Sequence, residues 1–81
     1  MDAMNDNLRV LQFLLARLER IPADSVVAHR ASGVRGALLR ALDQLEAGRP
    51  VPVPEMRRLI ESGYRLLEKA AREKIRSIQK T

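Results

Sequence analysis

Cysteine is absent from the 81 residues, so neither a disulfide nor a thiolate zinc site can staple the fold. Tryptophan is absent as well, and Phe13 and Tyr64 are the only aromatic residues. The core must therefore come from leucine, valine, isoleucine and alanine, and it is thin. No stretch approaches the roughly 18 consecutive apolar residues of a membrane span. The opening residues Met1-Asp2-Ala3-Met4-Asn5-Asp6 lack the basic region and apolar core of a secretory signal. Cytoplasmic residence, with no membrane partner, is the expectation, and the missing cysteines fit a reducing compartment. Chemistry is short of parts too. His29 is the only histidine, and no nucleophile is paired with a base. No glycine-rich phosphate loop is present. The acids are scattered beside basic residues rather than clustered as a metal requires. The chain is thus expected to be no enzyme, with no metal, no cofactor and no small-molecule substrate.

What is present is helical punctuation and period. Pro22 and the run Gly48-Arg49-Pro50-Val51-Pro52-Val53-Pro54 divide the chain, which predicts helices over 5–21, 25–47 and 54–79. Asn5 or Asp6 is placed to cap the first, and Asp24 or Ser25 the second. Gly48 suits the position just past the second helix. Pro54 suits the first turn of the third, where its missing N–H has no partner to lose. The prolines within 48–53 and at 54 make a stiff connector.

Met4, Leu8, Leu11, Leu15 and Leu18 form a 4-3-4-3 seam on the first helix. Val27, Ala31, Val34, Leu38, Ala41 or Leu42, and Leu45 do the same on the second. The third carries a broader stripe of Met56, Leu59, Ile60, Gly63, Leu67, Ala70 and Ala71, flanked by Tyr64 and Leu66. A stripe that wide faces two neighbours, so a single-domain, all-α antiparallel three-helix bundle over 1–81 is predicted. Homo-oligomerisation is a means of completing so small a core. Lys74 falls at the centre of the third stripe. Either its stem snorkels, or the bundle ends near Ala71, the last turns project, and Ile75 and Ile78 are exposed beside Arg76 and Lys80.

Charge is uneven. Residues 1–53 carry seven arginines against six acids, whereas 54–81 carry eight cations against four glutamates. On a helical projection Arg58, Arg65, Lys69, Arg72, Arg76 and Lys80 fall within roughly 80° of one another, a ridge about 33 Å long. Such a ridge suits an anionic partner, either an acidic protein or the phosphates of a nucleic acid. The blander reading is a solvated face, because Glu61, Glu68 and Glu73 interleave with it and Glu61–Arg65 and Glu68–Arg72 have the favourable i,i+4 order.

Two further features project away from the predicted core. Phe13 lies among Arg9, Arg17 and Arg20, with Val10 nearby, either as a contact surface or as a core-margin residue under arginine stems. Gly33 and Gly36 occupy the outer face of the second helix, where each costs about 1 kcal/mol relative to alanine. Close approach of another backbone, or a kink near residue 33, explains their presence. Val10, Phe13, Arg17, Gly33 and Gly36 are accordingly the candidate oligomer interface.

His29, followed by Gly33 one turn later, resembles the phospho-accepting helix of histidine phosphotransfer domains. The resemblance spans Ala28 to Gly36 and implies an accessible imidazole that takes a phosphoryl group. Ser32 stands where that family places lysine, and its members are longer four-helix bundles. Three functions are therefore expected in descending order: a non-catalytic protein-interaction or oligomerisation module, a small nucleic-acid-binding protein using the ridge, and phosphotransfer through His29.

Overall fold

The computed structural model describes residues 3–79. Three helices pack pairwise as a bundle: α1 (Ala3–Leu18), α2 (Ala28–Glu46) and α3 (Val53–Gln79), with no strand among the described residues. The expected all-α three-helix architecture is present.

The boundaries differ from expectation at both ends of α1 and at the start of α2, and by one residue at the end of α2 and the start of α3. Helix α1 ends at Leu18 rather than residue 21. Pro22 disfavours helical geometry at Ile21, and the chain tightens first, with Arg20 N–H donating to the Arg17 carbonyl at 3.2 Å and Ile21 N–H to Leu18 at 3.2 Å. At its other end α1 already runs through positions 5 and 6, so neither Asn5 nor Asp6 is the cap; Asp6 sits in the first turn, where its charge complements the helix dipole.

Helix α2 starts at Ala28 rather than 25, and neither Asp24 nor Ser25 caps it. Two successive turns precede it, closed by Ser25 N–H to Pro22 O at 3.0 Å and Ala28 N–H to Ser25 O at 3.1 Å. The capping position falls to Val27, which has no side-chain oxygen to offer and is instead buried in the core.

The other end of α2 follows the expected chemistry. Gly48 has φ 78°, a conformation that only glycine adopts readily. Gly48 N–H reaches the Leu45 carbonyl at 3.0 Å and Arg49 N–H reaches Gln44 at 2.9 Å, the paired bonds of a Schellman ending. Gln44 then donates its side-chain amide to the Pro50 carbonyl at 2.6 Å, holding the connector to the helix. Pro54 lies in the first turn of α3, as its missing N–H allows.

The core runs along the bundle from Leu11, Leu14 and Leu18 of α1 to Leu38, Ala41, Leu42 and Leu45 of α2, and closes on Met56 and Leu66 of α3. Leu14 is fully buried although the seam assigned to α1 skipped it, and Leu15, assigned to the seam, is half-buried. The reason is Gly63. A Cβ there would lie 3.0 Å from Leu14 Cδ1, so the missing side chain of α3 is the socket for Leu14. Leu66 likewise moves from the flank of α3 to its centre. The side chain of Met4 lies outside the described residues.

Helix α3 outruns the other two. Its 27 residues compare with 16 in α1 and 19 in α2. The chain measures 49 × 24 × 19 Å with a radius of gyration of 14.0 Å, where a compact chain of this length has about 12 Å. Leu66 is the last buried residue on α3, and Ala71, Lys74, Ile75 and Ile78 are all exposed. Of the two readings of Lys74, the second therefore holds: the bundle ends near Ala71.

Candidate functional site

The α1–α2 turn lies against α3 where the bundle ends, and Glu73 holds it there. Its carboxylate accepts the Ser25 hydroxyl at 2.6 Å and the Val26 N–H at 3.2 Å. The Ser25 oxygen in turn accepts the Val27 N–H at 3.2 Å. One carboxylate thus satisfies the Ser25 hydroxyl and the Val26 N–H of a turn that leads into a helix whose N-cap residue, Val27, makes no side-chain cap bond. Sequence reading assigned Ser25 to a helix cap and Glu73 to a solvated face. Their partnership spans 48 residues, and no local pattern signals it.

An open groove lies on each side of this clasp. One is lined by Val26, Val27, Lys69, Arg72, Glu73, Arg76 and Ser77. The other is lined by apolar Ile21, Leu67, Ala70 and Ala71, by the cations Arg17, Arg20 and Lys74, and by the acids Asp24 and Glu73. Both combine apolar carbon with several cations. Val26, at 84% exposure, is the most exposed large apolar side chain described.

Four of the ridge residues assigned from sequence keep a common face. Arg65, Lys69, Arg72 and Arg76 are exposed, and Arg58 is exposed nearer the start of α3; Lys80 lies outside the described residues. Arg72 is paired with Glu68, as expected, at 2.5 Å. Arg58, Arg65, Lys69 and Arg76 are in no ion pair among the described residues, and Glu61 does not close on Arg65. Most of the ridge is therefore charge without an internal counterion. An exposed pair such as Glu68–Arg72 contributes about 0.3–0.5 kcal/mol, too little to make the ridge a device for holding the helix together.

The residues expected at an oligomer interface differ in exposure. Phe13 is 49% exposed, with the Arg17 guanidinium 5.8 Å from its ring centroid, a cation–π contact along α1. Val10 is half-buried and packs against the core. Gly33 is exposed and Gly36 half-buried on α2, which is helical without a break from 28 to 46 and so does not start late at residue 33. A Cβ on Gly33 would meet nothing within 4 Å, and one on Gly36 only Arg40 Nη1 at 3.6 Å. Neither glycine serves packing within the chain. Gly33→Ala is accordingly expected to raise stability by about 0.5–1 kcal/mol, measured as a higher urea midpoint. A lower midpoint would mean that Gly33 has a contact in solution which a methyl group disrupts.

His29 is exposed at the second position of α2, and its imidazole has no hydrogen-bond partner among the described residues. The clustering of acids or histidines that a metal ion needs is also missing among those residues. No helix described is long and apolar enough to cross a membrane.

Comparison with protein-family models, curated proteins and solved structures gives no match. What the surface can do must be read from its own chemistry. The end of the bundle at the clasp offers positive charge beside apolar carbon.

Proposed function

We propose that this chain is a non-catalytic helical binding module that engages an acidic protein partner along α3 and the α1–α2 turn. The observation that carries this reading is the groove in which Val26 and Val27 lie against Lys69, Arg72 and Arg76. Phosphates need only the cations. Exposed valine beside them suits a partner that brings apolar side chains as well as carboxylates. The Glu73 clasp supports the same reading, because it keeps Val26 fixed beside the ridge and limits the ordering that binding requires.

The test is fluorescence anisotropy with two labelled probes: an amphipathic helical peptide of glutamate and leucine, and a duplex DNA of about two turns. The peptide is expected to bind with a dissociation constant in the micromolar range. Val26→Asp is expected to weaken it about tenfold, and Arg65→Glu with Arg76→Glu more than tenfold. Binding of the duplex more tightly than the peptide, with Val26→Asp harmless and affinity falling steeply with salt, would transfer the ridge to nucleic acid.

A further inference from the structure

Three of the seven exposed large apolar residues, Tyr64, Ile75 and Ile78, lie on one strip of α3 together with Ala71. The centre of the strip lies roughly a third of a turn around the helix from the centre of the basic ridge, at 100° per residue. Tyr64, Ala71 and Ile78 recur every seventh position, with Leu67–Glu68 and Lys74–Ile75 between them. That is a heptad seam whose Tyr64 is 49%, Ile75 54% and Ile78 64% exposed, while Leu67 is half-buried against the core of its own chain.

The seam is symmetric about Ala71. Tyr64 and Ile78 stand seven residues to either side of it, Leu67 and Ile75 four, and Glu68 and Lys74 three. A two-fold axis through Ala71 therefore sets Tyr64 on Ile78 of a second copy, Leu67 on Ile75, and Glu68 on Lys74, each pair occurring twice. Apolar meets apolar, and Glu68, which pairs with Arg72 in its own chain, is placed to meet Lys74 of the second copy as well. The smallest residue lies at the axis, where two backbones come closest. A parallel pairing instead stacks Lys74 on Lys74 and Glu68 on Glu68. The ridge is left facing outward, so its like charges are not brought together.

We infer that two copies of this chain associate through α3, antiparallel, about a two-fold axis at Ala71. The inference does not rest on the acidic-partner reading, which uses a neighbouring face of the helix. The seam also explains Lys74: a cation at the centre of a core stripe is the counterion for Glu68 of the second copy. Two seams of this length bury an area at the low end for stable complexes, which points to a dissociation constant of about 1–100 µM.

The absence of cysteine makes the test direct. Sedimentation equilibrium of the full chain from about 1 µM to 1 mM is expected to show a monomer–dimer equilibrium, and Ile75→Asp to weaken it at least tenfold. Both Glu68→Lys and Lys74→Glu are expected to weaken it, and the double swap to restore it. Mild oxidation should link Ala71→Cys to itself. It should link Ile78→Cys to Tyr64→Cys in a mixture of the two variants, while Ile78→Cys alone stays unlinked. A monomer throughout the concentration range, an Ile75→Asp dimer of native affinity, a swap that fails to rescue, or Ile78→Cys linking to itself would each overturn the proposal. Circular dichroism of each variant guards against misfolding, which substitutions at exposed positions are not expected to cause. Val26→Asp should leave dimerisation unchanged, so failure of the seam and failure of the acidic-partner site are told apart.

Discussion

Leu14→Ala is expected to lower stability by about 2–5 kcal/mol, the range for truncating a buried leucine. Leu14 is fully buried and shares the α1 side of the core with Leu11 and Leu18. A domain of this size has a total stability of about 4–12 kcal/mol, so this one change removes a large share of it. The cavity has little means of collapsing. Opposite Leu14 stands Gly63, with no side chain to move into the space, and the α3 backbone at Gly63 is held by the turns on either side. Denaturant unfolding followed by circular dichroism measures the loss as a shift in midpoint. Leu15→Ala supplies the contrast, since Leu15 is only half-buried and its loss should be visibly smaller. Equal effects at 14 and 15 would mean that α1 is rotated from the orientation described.

The second large effect is a reversal of sign at Gly63. In the native chain a Cβ on this residue would approach Leu14 Cδ1 to 3.0 Å and Cδ2 to 3.2 Å. Leu14 is enclosed and cannot swing aside into solvent. Alanine gains about 1 kcal/mol over glycine in a helix, but overpacking costs about 1–3 kcal/mol. Gly63→Ala is thus expected to destabilise by about 1 kcal/mol, and Gly63→Val by more. With Leu14→Ala already in place, the obstruction is gone and a cavity waits to be filled. There Gly63→Ala is expected to stabilise by about 1–2 kcal/mol, from helix propensity and from filling space. The double-mutant cycle reads the coupling of the two sites directly. Additive effects would show that the two residues are not in contact.

Leu14 also marks the limit of what period alone conveys. Leu11-Leu14-Leu18 and Leu11-Leu15-Leu18 are equally good helical spacings, so the hydrophobic pattern of α1 supports both. The choice is made by a gap on another helix. Gly63 was legible as a member of the α3 stripe, yet its function as a socket depends on which residue lies across from it. The candidate site divides in the same way. The cations of the ridge could be read by projecting one helix, and the exposed ones emerge where that projection puts them. Ser25, Val26 and Glu73 could not, because the contact between residue 25 and residue 73 is set by how α1 and α2 are joined and how far α3 extends. The exposed valine of the groove was invisible for the same reason: in sequence Val26 resembles its neighbour Val27, which is buried.

The sequence by itself determined three helices, the glycine-ended α2, the proline-started α3 and the face on which the ridge lies. These follow from period, breakers and caps, which act within a few residues along the chain. Only the tertiary structure decided which leucine fills α1, where α2 begins, and that α3 runs on past its neighbours with Tyr64, Ala71, Ile75 and Ile78 uncovered. Those outcomes depend on the relative lengths and close approach of elements distant in sequence, and no local pattern encodes what lies on the far side of a side chain.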